Sequence, residues 1–159
     1  MNRVTRRPLR AGVTLVELLM VVAILFVLFA VTTRTFQGVN SGKALDTEAL
    51  HIISELNEAR SLTLSSKYAN PFGIHFASSS VTLFQGATYD AGSATNTVTL
   101  LNSLVHVSSI DLAGGGSDVV FQRLTGKTVH SGSITLSLIS SASTSKTIMI
   151  YTTGLVDTD

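Results

Sequence analysis

Residues 13–31 read VTLVELLMVVAILFVLFAV, 19 positions of which only Thr14 and Glu17 are not apolar. As a helix rising about 1.5 Å per residue, this run covers roughly 28 Å, close to the ~30 Å hydrocarbon core of a bilayer. Upstream stand Arg3, Arg6, Arg7 and Arg10, with no acid among the first twelve residues, and only Arg34 follows closely. That asymmetry predicts a single membrane span with a cytoplasmic N-terminus and the rest of the chain outside. A secretory signal peptide fits less well. Its apolar region is about 7–15 residues long and ends in small residues, whereas this run is longer and Phe29-Ala30-Val31-Thr32 makes a poor cleavage site. A plain anchor explains the length and the charges but not Glu17. A carboxylate inside an apolar span costs up to roughly 2.5–3.5 kcal/mol at the bilayer centre, less near its ends, and such a residue asks for a function.

The run Arg10-Ala11-Gly12-Val13-Thr14-Leu15-Val16-Glu17-Leu18-Leu19 resembles the processing site of type IV prepilins and pseudopilins. The resemblance implies a leader, residues 1–12, removed by a prepilin peptidase that cuts between Gly12 and Val13. It also implies N-methylation of Val13, although family members usually begin their mature chain with Phe. Glu17 then stands four residues after the new terminus, where the family keeps its glutamate. The chemistry agrees, because a buried carboxylate is tolerable when it is paired with a positive charge. In a filament the amine of Val13 on one subunit meets Glu17 of its neighbour, which makes Glu17 an assembly and register device. The helix N-terminus gives the carboxylate a further favourable field.

The helical pattern continues past the apolar run. Thr32, Thr33, Thr35, Gly38 and Gly42 weaken it, but no proline interrupts it before Pro71. From Lys43 a stripe appears at Leu45, Ala49, Ile52, Leu56 and Ala59, spaced 4, 3, 4 and 3, the mark of one buried helical face. Asn70-Pro71 prevents simple continuation, so the helix is expected to end near Ser65–Ser66. The domain reading is therefore a leader over 1–12, a membrane-spanning and filament-core helix over 13–36, its amphipathic continuation over 37–66, and a β-rich extracytoplasmic domain over 71–159.

Beyond Pro71 the composition turns to Ser, Thr, Gly and Val, with period-2 runs, which predicts strands. The expected strands are Gly73–Phe76, Val81–Phe84, Thr97–Leu101, Val105–Leu112, Val119–Gln122, Ser133–Ile139 and Lys146–Tyr151. Gln85-Gly86, Thr125-Gly126-Lys127 and Ser140–Ser145 read as turns, Gly114-Gly115-Gly116 as a loop, and Thr88–Thr97 as a variable loop. The fold class is thus α+β: a long N-terminal helix packed on an antiparallel sheet through the Leu45–Ala59 stripe. The series Val119-Val120-Phe121, Gly126, Gly132-Ser133-Ile134-Thr135-Leu136, Lys146-Thr147-Ile148-Met149-Ile150 and Gly154-Leu155-Val156 resembles the C-terminal half of H-type minor pseudopilins of type II secretion and related minor pilins. With both resemblances the expected architecture is pilin-like. The expected function is a structural subunit of a type II secretion or type IV pilus-like filament. The implied partners are prepilin peptidase, other pilin or pseudopilin subunits, an inner-membrane assembly platform and membrane lipid. The implied location is the inner membrane first and a periplasmic or surface filament afterwards.

Composition narrows the alternatives. Charged residues make up 13%, about half the usual share. The absence of cysteine excludes disulfides, thiolate metal sites and a cysteine nucleophile. His51, His75, His106 and His130 are far apart, and no hydrolase, zincin or phosphate-loop motif occurs, so neither an enzyme nor a cofactor is expected. Asp111, Asp118, Asp157 and Asp159 offer oxygen atoms for calcium without any EF-hand spacing. Capture of DNA during uptake is the rival function. Some minor pilins achieve it through basic C-termini, but here Gly154-Leu155-Val156-Asp157-Thr158-Asp159 is acidic. Arg123, Lys127 and Lys146 are too few for a basic patch.

Overall fold

The computed structural model describes Gly12, residues 14–65 and residues 69–159, the side chains of residues 31–40 excepted. The leader residues 1–11 and Val13, and with them the proposed methylation site, lie outside the described residues, as does Ser66.

Helix α1 is assigned over Leu15–Leu64, 50 residues, but it does not belong to one body. The chain divides into two compact units, Met1–Val39 and Asn40–Asp159. The helix is described with its side chains in two stretches, residues 15–30 and residues 41–64. The expected single rod, membrane-spanning in its first half and amphipathic in its second, is corrected to two shorter helical segments in separate units. No helix among the described residues is long and apolar enough to cross a membrane. At about 1.5 Å per residue, residues 15–30 reach about 24 Å, short of the ~30 Å core. The same finding overturns the expected single-pass placement in an inner membrane.

In the first unit the helix starts at a cap. The Glu17 amide donates to Thr14 Oγ1 at 3.3 Å, and the Leu18 amide donates to Thr14 O at 3.1 Å. From Leu15 to Phe29, thirteen large apolar side chains are exposed on every side of the helix.

The second unit is built as the stripe foretells. Leu45, Ala49, Ile52, Leu56 and Ala59 are all buried and pack into one core with residues of every layer around them. The β-structure forms two sheets rather than the expected one. Its strands are β1 (Phe72–Phe76), β2 (Ser80–Gln85), β3 (Thr97–Leu100), β4 (Val105–Leu112), β5 (Asp118–Val120), β6 (Gly132–Leu138), β7 (Ser141–Ile150) and β8 (Val156–Thr158). The first sheet has the order β3-β2-β1-β5 and the second β4-β6-β7-β8, with antiparallel pairing throughout. Ile134, Leu136, Ile148 and Ile150 face the core from the second sheet, and Ile74, Phe76, Val81 and Val119 from the first.

Polar contacts fix the segment 41–64 to both sheets. Glu55 Oε1 accepts from Thr99 Oγ1 at 3.1 Å on β3, and Glu48 Oε2 accepts from the Asn102 amide at 3.1 Å. Lys146 on β7 reaches Asp46 at 2.6 Å. At the helix end the buried Thr63 hydroxyl donates to Ala59 O at 2.8 Å and accepts from the Phe72 amide at 2.9 Å. It thereby joins the helix to the first residue of β1. Arg60 Nε donates to Gly126 O at 3.1 Å, and Gly154 packs against that same carbonyl with φ +78°, where a side chain has no room.

Candidate functional site

The sequence places the site at Gly12, Val13 and Glu17. Gly12 is exposed and precedes the helix, and a Cβ there would meet nothing within 4 Å. Val13 lies outside the described residues. Thr14 is the N-cap, which puts Leu15 at the first helical position and Glu17 at the third. Its hydroxyl satisfies one of the amides that a helix start leaves unpaired. Thr14-Leu15-Val16-Glu17 thus has the spacing of a capping box. The sequence reading missed this role of Thr14, although a threonine three residues before a glutamate and an apolar run is its ordinary signal. The cap sets the start of the helix, so Gly12 stands ahead of the helical ladder. It also occupies the Glu17 amide while its carboxylate stays exposed, with no ion-pair partner among the described residues. In the first turn that carboxylate sits in the positive field of the helix N-terminus.

The titratable groups of the second unit are tied up separately. His51 lies between Glu48 at 3.6 Å and Glu55 at 3.8 Å on its own helix. His106 Nε2 is 3.3 Å from Ser137 Oγ, and His130 Nδ1 accepts from the Val120 amide at 3.4 Å. Among the described residues, no group of three or more His, Asp or Glu is placed to hold a metal ion. Asp118 pairs with His75 instead, and Asp157 Oδ1 accepts from the Thr158 amide at 2.8 Å. Arg123 and Lys127 are exposed on the turn after β5, while Asp111, Asp157 and Asp159 are exposed on β4 and at the C-terminus.

One cluster was not foreseen. His75 on β1 meets Asp118 on β5 through Nδ1 and Oδ1 at 2.6 Å. Its ring stacks flat on Tyr89, with centroids 3.9 Å apart and planes 5° apart, and Phe84 meets Tyr89 edge-on at 5.5 Å. Gly73 makes room for this arrangement, since a Cβ there would come within 2.6 Å of Phe84 Cζ. The loop 87–96 is otherwise knitted locally: Asn96 Nδ2 donates to Asp90 O at 2.7 Å, and the Gly92 amide donates to Asp90 Oδ1 at 3.0 Å. Tyr89 therefore pins the expected variable loop to the first sheet. A register pairing of β1 with β5 was needed to see it, and nothing local in the sequence announces that pairing.

No family model, curated protein or solved structure matches the chain. The likeness to prepilins thus rests on the quoted residues alone.

Proposed function

We propose that this chain is a pilin-like structural subunit of a type II secretion pseudopilus or a type IV pilus-like filament. A prepilin-type peptidase frees it after Gly12, and it assembles through the apolar helix that begins at Leu15. One observation carries the reading: thirteen large apolar side chains between Leu15 and Phe29 are exposed around the whole helix. A helix that is apolar on one face needs one partner, but a helix apolar on all faces needs to be surrounded. Exposed apolar area on this scale far exceeds what an isolated subunit carries in water. Like helices of other copies supply surroundings of the required length and chemistry.

Glu17 fits this setting as its one charged member. Packed among apolar helices, its carboxylate would be costly alone. The amine of Val13 on an adjoining copy, created by the cut, cancels that cost and sets the stagger between copies. Thr14 helps by taking the Glu17 amide and leaving the carboxylate for the neighbour. The acidic C-terminus, with Asp157 and Asp159 exposed, lends nothing to capture of nucleic acid.

The test is Glu17→Ala in the processed protein. Cleavage after Gly12 and thermal unfolding of the second unit stay as in wild type, while the amount of assembled filament falls at least ten-fold. Wild-type levels of filament from this variant would remove Glu17 from the assembly chemistry.

A further inference from the structure

Four strands close the edges of the two sheets, and three of them are protected against further pairing. β4 carries a bulge between Val107 and Ser109. β5 is three residues long, includes Asp118, and gives way at once to the Phe121–Thr128 bridge. β8 is three residues long with Asp157 at its centre. Short, charged and bulged edges are the usual ways of preventing strand addition. β3 is short too, at four residues, but has no other such device. It reads Thr97-Val98-Thr99-Leu100, with neither charge, proline nor bulge, and it exposes Val98 by 58% and Leu100 by 76%.

The hydrogen-bonding parity of β3 follows from its neighbours. The Ala77 amide donates to Ser80 O, and the Leu101 amide donates to Ser79 O. Bonded and non-bonded positions alternate along an antiparallel pair, so Thr97 and Thr99 direct their backbone groups toward β2, opposite Leu83 and Val81. The amides and carbonyls of Val98 and Leu100 consequently point away from the sheet. Thr99 turns its side chain to the helix at Glu55, so Val98 and Leu100 present theirs on the other face. The same two residues thus hold both the unused hydrogen-bonding groups and the exposed apolar side chains.

We infer that β3 is a docking edge for a second copy of this chain, joined antiparallel about a two-fold axis at Thr99. The occupant is set by self-complementarity. With Thr99 opposite its own counterpart, Val98 falls opposite Leu100 of the second copy, and Leu100 opposite its Val98. Every outward amide then meets an outward carbonyl, giving four hydrogen bonds, and apolar side chains meet apolar side chains on one face. A register shifted by one residue sets Val98 against a Thr99 whose side chain faces the opposite way. Such a contact closes on itself, so it joins two copies and no more. It is independent of the apolar helix and of Glu17.

The test uses the full chain in a non-ionic detergent that covers residues 15–30. The protein has no cysteine, so a single Thr99→Cys gives one thiol. Directly opposed residues at a non-hydrogen-bonded site lie about 4.5 Å apart between Cα atoms, within the range a disulfide spans. With an added oxidant, Thr99→Cys forms a covalent dimer at least ten-fold more than Thr97→Cys, whose counterparts stand about 13 Å apart along the strand direction. Adding Leu100→Lys to Thr99→Cys lowers that yield at least ten-fold, and adding Glu17→Ala leaves it unchanged, which separates this contact from filament assembly. In the unmodified chain, amide exchange at Val98 and Leu100 slows at least ten-fold from micromolar to millimolar protein. Equal yields at positions 97 and 99, no yield at 99, or exchange independent of concentration would overturn the inference.

Discussion

Leu25 and Leu56 are both leucines in the interior of α1, yet 58% of the first is exposed and none of the second. The local chemistry is the same; what differs is what the rest of the chain wraps around them. Between residues 41 and 64, apolar positions alternate with Asp46, Glu48, Glu55 and Glu58, which gives two sheets a single face to cover. Between residues 15 and 30 there is no polar face to leave in water, and the described part of that unit contains no second element. One segment completes a core within its own chain, and the other carries apolar surface that its own unit does not cover.

The contrast can be broken at graded strength. Gly154→Ala is expected to be the most damaging change. Its side chain would run into the Gly126 carbonyl at a backbone angle that disfavours alanine, and a loss of about 4 kcal/mol or outright failure of the second unit to fold follows. Leu56→Ala should cost about 3 kcal/mol in denaturant unfolding, the usual price of a core cavity. The identical change at Leu25 should alter the stability of the second unit by less than about 0.5 kcal/mol while weakening assembly. Equal losses at both leucines would erase the distinction between the two regions. Thr63→Val orphans the buried Phe72 amide, so unfolding should show a loss of about 2 kcal/mol. Thr14→Val removes the cap. It should loosen the first helical turn by about 1 kcal/mol, seen as faster amide exchange at Glu17 with no change at Ile52.

The helical segment 41–64 was legible because a 4-3-4-3 stripe needs only one period and one cover. Most strands were legible within a residue or two, and β4 was placed as observed, because alternation survives wherever one face is buried. Three features were not, among them β8 (Val156–Thr158), where the sequence predicts no strand. The polar residues Ser140–Ser145 predict a turn, yet Ser141–Ser145 forms the first half of β7. Ser141 and Ser145 pair with β6 and the exposed residues between them bulge out, an arrangement that hydropathy does not register. Division of the strands into two sheets was equally hidden, since the join of β1 with β5 spans more than forty residues. The length of the apolar helix misled in the other direction. A run of nineteen residues, all apolar but Thr14 and Glu17, suggested a membrane span, whereas no described helix meets that requirement. At the N-terminal site Gly12 and Glu17 stand on a resemblance alone, while the capping role of Thr14, which the structure shows, was missed beside them.

The proposed assembly requires that the amine of Val13 be liberated, because that group is what Glu17 of another copy answers. Gly12 has open space around it, so a side chain there leaves the fold alone and affects the cut only. Intact-mass measurement of the protein isolated from its own cell tests this most directly, with Gly12→Val run beside it. The expected result is a chain that begins at N-methylated Val13 in the wild type, against a full-length, unprocessed chain in the variant. A wild-type mass that still includes Met1 through Gly12 would contradict the account.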